Sequence, residues 1–240
     1  MGAALTDVLF ALWLRQLKRY VRSRARVVGS LGQPLLFLVA LGFGLGPMYR
    51  KAGGGNYLDF LAPGVVAMGA LFTAMFSGIE VIWDRQFGFL KETLVAPVPR
   101  LAIMAGRTLG GATVAALQGV LVLGLCLALG FRPAHLSGLP GALAFLFLIA
   151  LLFTALGTAL GSVLEDMQGF QLIMNFLVMP IFFLSGALFP LDDAPRGLRL
   201  AAALDPLSYG VDGLRACLLG VPGQGTALDA AVLGVLTALA

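Results

Sequence analysis

Chemically reactive side chains are scarce in this chain. One histidine and two cysteines occur in 240 residues, and only 12% of positions are charged. His135 stands in a short connection beside Pro133, with no second histidine and no cysteine at ligand spacing, which favours a solvated loop residue over a metal ligand. Cys126 lies inside an apolar run and Cys217 near another, so they outline no disulfide framework. None of Lys18, Lys51 or Lys91 follows a glycine, so the G-x-x-x-x-G-K-[ST] phosphate cradle is missing, and any ATP-driven action needs another polypeptide. G-x-S-x-G and H-E-x-x-H are absent too, which argues against a hydrolase. A proton-driven transporter needs ionisable groups deep in its spans, whereas Glu80, Glu165 and Asp166 all sit near the ends of apolar runs.

What the chain has in abundance is apolar length. Hydrophobic residues make up 59% of it, and Val27–Pro47 contains no ionisable side chain. A hydrocarbon layer about 30 Å thick takes roughly 20 apolar residues at 1.5 Å rise, and only a helix or closed barrel satisfies its own backbone there. The runs are too long and too uniform for barrel strands. They predict an all-α membrane protein with spans near Val27–Pro47, Phe60–Trp83, Thr108–Gly130, Gly141–Val163 and Phe170–Phe189, the last containing Pro180. A sixth begins near Leu228; the stretch to Ala240 covers only about 20 Å at helical rise, so this span is expected to be incomplete. The domain reading is therefore residues 1–26 as an interfacial helix and 27–240 as the transmembrane domain.

The first 26 residues do not read as a signal peptide, because the apolar stretch Val8–Leu14 precedes the basic cluster. At 100° per residue, Leu5, Leu9, Leu12, Trp13, Leu17 and Tyr20 share one face and Arg15, Lys18, Arg19 and Arg22 the other. That is an amphipathic helix expected to lie in the membrane interface with its basic face against anionic head groups. The positive-inside rule sets the orientation. A cytoplasmic N-terminus gathers Arg15, Lys18, Arg19, Arg22, Arg24, Arg26, Arg85, Lys91, Arg100 and Arg107 on that side. The other side is left with Arg50, Lys51, Arg132, Arg196, Arg199 and Arg215. Net charge of +4 is thus explained by topology, not by nucleic acid.

Two connections are long enough to do more than turn. In Asp84–Arg107, Phe87, Leu90 and Leu94 fall on one face of a short helix ended by Pro97 and Pro99, which fits either a docking surface for a partner or a helix resting on the bilayer. In Pro190–Leu228, Leu198–Leu204 and Tyr209–Leu219 predict two helices, the second apolar enough to dip into the membrane or to form an external cap. Glu80 and Asp84 share a helix face at a spacing of four. Gly42-x-x-x-Gly46, Gly106-x-x-x-Gly110 and Gly157-x-x-x-Gly161 permit close helix approach and read first as intrachain packing.

The run FLAPGVVAMGALFTAMFSGIEVIWDRQFGFLKETLVAPVPR, Phe60–Arg100, followed by FLSGALFPLDDAPRGLRLAAALDPLSYGVDGLRACLLG, Phe183–Gly220, resembles the membrane subunit of an ABC-2 type ABC transporter, nearest the drug-resistance and nodulation-factor export branch. The resemblance implies a six-span permease whose N-terminal amphipathic helix is an elbow helix. The segment Phe87–Val95 would be the coupling helix, with Asp84, Arg85, Phe87, Phe89, Leu90, Lys91, Glu92 and Leu94 meeting the ATPase subunit. Leu198–Leu219 would form outer re-entrant helices. It also implies two permease copies with two separate ATP-binding subunits, in a bacterial inner membrane. ATP and Mg belong to those partners, and the permease itself has no catalytic, cofactor or metal residue. Spans two and five would line the pathway, where Thr73, Ser77, Asn175 and Ser185 are the polar or small residues available.

The expected function is outward movement of a hydrophobic or amphipathic drug-like compound by alternating access. Export of a lipid-linked saccharide or polysaccharide is the alternative. A channel or scaffold, and a lipid-processing enzyme using Glu80 with Asp84, are the readings outside that class.

Overall fold

A computed structural model describes residues 2–51, 55–88, 99–191, 194–221 and 225–240. Every regular element among them is helical. Helix α1 (Gly2–Arg22) is followed, after Ser23, by α2 (Arg24–Phe37), which passes through a π-helical stretch, Leu38–Phe43, into α3 (Gly44–Lys51). The wide turns follow Pro34, which withholds an amide, and coincide with weak helix formers at Gly42 and Gly44. Five stretches are long and apolar enough to cross a membrane: Val27–Lys51, Tyr57–Gln86, Leu101–Ala128, Leu136–Val163 and Met167–Leu184. Of the six expected spans, the last is here the shorter apolar helix Thr226–Leu239.

The second span is the centre of the bundle. Residues Leu61–Leu71 are all buried, on every side of the helix, against spans three to five and the chain between spans five and six. The expected single helix Phe60–Trp83 is in fact two, α4 (Tyr57–Phe76) and α5 (Ile79–Gln86), separated at Ser77–Gly78. Ser77 Oγ donates to the Ala74 carbonyl at 2.6 Å, a back-bond that competes with the ladder. Gly78 then lies directly on span four. A Cβ at Gly78 would strike the Gly157 carbonyl, one at Gly157 the Met75 carbonyl, and one at Gly161 the Gly78 carbonyl. The Gly157/Gly161 pair is therefore spent on backbone contact within the chain.

Span three is α6 (Arg100–Ala128), span four is α7 (Leu139–Val163) and span five is α8 (Met167–Leu184). The fifth helix stops at Leu184, five residues short of the apolar run that predicted it. Ser185 Oγ bonds the Phe182 carbonyl at 2.7 Å and receives the Ala187 amide at 3.3 Å, and Gly186 takes φ of +71°, which turns the chain back. Ala187 then seats against Gly64 of the second span.

At the end opposite α1, α9 (Arg196–Leu204) and α10 (Pro206–Leu219) form a cap, and α11 (Thr226–Leu239) follows. Helix α10 buries Leu207, Val211, Leu214 and Leu218, and its Gly210 and Gly213 receive Ile149 and Phe145 of span four. Arg215 places its guanidinium 4.1 Å from the Phe60 ring and donates to the Phe60 and Gly186 carbonyls at 3.4 and 3.2 Å, fastening the cap to spans two and five. Asp205 caps α10, accepting the Leu207 amide at 2.9 Å. Burial pushes its carboxyl up to about 7, against the pull of that amide.

Two outcomes follow. Gly157→Leu must separate spans two and four and is expected to cost about 3 kcal/mol, read as a lower melting temperature and lost monodispersity. Asp205 binds its proton more tightly folded, at about 7, than it would in an unfolded chain, so it stabilises the cap most at acid pH and that contribution fades as pH rises through 7. Thermal melts from pH 5 to 8 should fall for the wild type and be flatter for Asp205→Asn.

Candidate functional site

The site is built where α1 meets the ends of spans two and three. Gly106 and Gly110, one turn apart on span three, leave a groove into which α1 settles. A Cβ at Gly106 would lie 3.2 Å from Leu12 Cβ, and one at Gly110 would lie 2.8 Å from Gln16 Cγ. Polar bonds then fix the register. Trp13 Nε1 donates to Thr113 Oγ1 at 3.0 Å, and Tyr20 and Ser30 both donate to Gln118 Oε1, at 2.5 and 2.9 Å. Leu12 and Tyr20 are buried, so much of the apolar face expected to rest on the bilayer is covered by span three, and among the described residues of α1 the exposed large apolar side chains are Phe10 and Val21.

The basic face is divided likewise. Arg15 Nη2 donates to both oxygens of Asp84 at 3.1 and 3.0 Å, and Arg107 of span three pairs with the same carboxylate. Arg19 lies 3.7 Å from Glu80, its guanidinium 5.7 Å from the Trp83 ring. Only Lys18 and Arg22 of the four expected head-group contacts are exposed. The physical reason is that Glu80 and Asp84 present two carboxylates on one helical face beside α1, and carboxylates at a protein wall bind guanidinium better than water-screened head groups do. Burial lowers the Arg15 guanidinium from its ordinary value, and the charge of Glu80 acts against that shift.

Span two is tied on its other flank as well. Arg85 donates to the Ser162 and Leu164 carbonyls at 2.5 and 3.2 Å, neutralising the exposed carbonyl end of span four, and Trp83 Nε1 points to Met167 Sδ at 2.8 Å. Asp84 and Arg107 thus close the base of the connection between spans two and three. Phe87, just beyond α5, is 79% exposed.

Residues 7–219 match the family described as ABC-2 type transporter. The chain belongs to that family. Nodulation protein J of Rhizobium leguminosarum bv. trifolii is 34% identical over 215 residues, covering 88% of this chain and 81% of that protein. Nodulation protein J of Rhizobium leguminosarum bv. viciae is 30% identical over 226 residues, covering 93% and 86%. Putative transport permease ycf38 of Cyanophora paradoxa is 29% identical over 210 residues, covering 86% and 72%.

Within this ABC-2 chain the residues singled out from sequence scatter. Asp84 and Arg85 are engaged by other parts of the chain, and Phe87 is presented outward. Phe89, Leu90, Lys91, Glu92 and Leu94 lie outside the described residues, as does the rest of the expected helix to Val95. Thr73 and Ser77 line a cavity of about 440 Å³ between α1, α2 and span two. Asn175 is exposed on span five, and Ser185 is buried in the turn that ends it. Sequence reasoning did not single out Gln118 and Thr113 as partners of α1, nor Arg107 as a partner of Asp84. The one available signal was the pair Glu80 and Asp84, which demanded counter-charges without saying whose.

Asp84→Asn should leave Arg107 buried without its anion and cost about 3 kcal/mol, measured by thermal unfolding in detergent. Arg15→Gln is expected to cost about 1 kcal/mol, and Glu80→Gln less, because that pair is longer and more solvated.

Proposed function

We propose that this chain is the membrane subunit of an ATP-driven exporter, working as a homodimer with a separate ATP-binding subunit and N-terminus in the cytoplasm of a bacterial cell. Its membership of the ABC-2 family and its relatives named as transport permeases support the transporter class. The observation that carries the coupling is the Asp84 clamp. A force applied by an ATPase at Phe87 and the following residues enters the base of a connection that one carboxylate joins to α1 and span three at once. Displacement there is passed to three helices together. The exposed apolar faces of the first and fifth spans, with Phe176 83% and Leu172 71% exposed, suit lipid or a second copy.

In this reading α9 and α10 are re-entrant pieces closing the exit. The cargo is a hydrophobic or amphipathic compound, with a lipid-linked saccharide as the alternative. A lipid-processing enzyme is disfavoured, because Asp84 and Glu80 are taken up in pairs with Arg15 and Arg19 of the same chain, which leaves them poorly placed to reach a substrate.

Co-expression with a candidate ATPase subunit should give a complex that co-purifies and turns over ATP. Phe87→Asp and Leu90→Asp should break it, and Arg15→Gln should keep the complex but weaken the dependence of turnover on cargo. Failure to associate with any ATPase removes the exporter in favour of a channel or scaffold.

A further inference from the structure

Asp229 has no part in the junction at α1 or in the fastening of the cap. It stands in the first turn of α11, 1% exposed, with both carboxylate oxygens buried and no hydrogen-bond donor on either. Leu233, one turn further along, is fully buried, and its Cδ1 lies 3.9 Å from where a Cβ at Gly210 of α10 would be. Asp229 shares that face at a spacing of four, so its side chain is directed at the packing of α11 on α10 and span four.

The charges around it are few. Span four, Leu139–Val163, has no ionisable side chain, and α11 has Asp229 alone. On α10 the titratable or charged groups are Asp205 at the cap position, Tyr209, Asp212, Arg215 and Cys217. Tyr209 donates to the Ala203 carbonyl, Cys217 lies against Gly141 of span four, and Arg215 reaches the Phe60 and Gly186 carbonyls. Asp205 precedes Asp212 by about two helical turns and accepts the Leu207 amide. The group whose charge acts on Asp229 is Asp212, an acid like itself.

A carboxylate enclosed by apolar walls, without a donor and beside a second acid, loses its hydration and gains repulsion. A metal ion does not resolve this, because it takes several donor atoms and no three acids, histidines or cysteines converge among the described residues. One proton does. It removes the charge, and the new O–H is itself a donor.

We propose that Asp229 is a proton-binding site that latches α11 to the cap. With the proton bound, α11 stays seated on α10 and span four. When the O–H bond gives its proton to water, the carboxylate draws the first turn of α11 outward until it is hydrated. The inference rests on packing alone; the exporter reading adds only that the proton comes from the outer side, and the test needs no ATPase.

The full chain in phosphatidylcholine nanodiscs is followed by hydrogen–deuterium exchange from pH 5 to 9, each rate being divided by its intrinsic value. Above a midpoint, opening of the α11 amides should rise by about tenfold per pH unit, the limit for one proton, while those of Leu61–Leu71 in span two stay level. Asp229→Asn keeps the shape without the titrating group and should hold α11 closed throughout. Asp205→Asn should retain the rise, which separates this proton from the one at the α10 cap. Asp212→Asn removes the neighbouring negative charge and should bring the onset to lower pH. That side chain is only partly buried, so its variant decides the matter should Asp229→Asn fail to assemble. Level protection of α11 in the wild type, a rise that survives Asp229→Asn, or an onset unmoved by Asp212→Asn overturns the site. So does recovery of protection at high pH on adding sodium or calcium, which makes the ligand a metal cation.

Discussion

One carboxylate organises the α1 end of this protein. Asp84 is shared by Arg15 from the amphipathic helix and Arg107 from span three, and both it and Arg107 are nearly withdrawn from solvent. A buried acid costs desolvation that its two basic partners offset, and Arg107, nearly as buried, would be stranded without it. Asp84 and Arg107 therefore stand or fall together, and Arg15 completes the set from its more exposed side. Because they come from three separate helices, the electrostatics of one side chain decide how those helices are angled. The hydroxyl bonds to Gln118 and the glycine groove at Gly106 and Gly110 complete the same junction by shape.

Elsewhere the bundle is held by close backbone approach. Between helices in a lipid-like surround, burying apolar side chains yields little, so dispersion at short range has to supply the adhesion. Gly78 on Gly157, Gly161 on Gly78, and Gly64 on Ala187 are three such places, all centred on span two. Gly210 and Gly213 do the same for the cap, accepting Ile149 and Phe145.

Much of this was legible in the residues. The span count rested on charge-free length, a property that survives any packing arrangement, and five helices follow it. The amphipathic helix was legible from its 3.6-residue periodicity, but periodicity names a face and not what covers it; span three, not lipid, takes much of that face. The end of span five was missed because hydropathy stays high through Phe189, while Gly186 and the Ser185 back-bond, short-range backbone chemistry, turn the chain first. The split in span two was invisible for a related reason. Ser77–Gly78 is tolerable inside a helix until a neighbour's glycine makes the break favourable. The acid pair at Glu80 and Asp84 was found by spacing, whereas its partners, 61 to 69 positions away for Glu80 and Asp84 on α1, are separated by too much chain for any local pattern to link them.

The break at Ser77–Gly78 also makes α5 a lever. Its fulcrum is the contact with Gly157, where no side chain intervenes, and its short arm, Ile79–Gln86, bears Glu80 and Asp84 with Phe87 at the tip. Over an arm of roughly 12 Å, a tilt of about 10° swings that tip by about 2 Å. Helix α4, locked on all sides, need not rotate at all. Arg15 and Arg107 hold that arm on one side and the Ser162 and Leu164 carbonyls, through Arg85, on the other, so its angle is set jointly by α1, span three and span four.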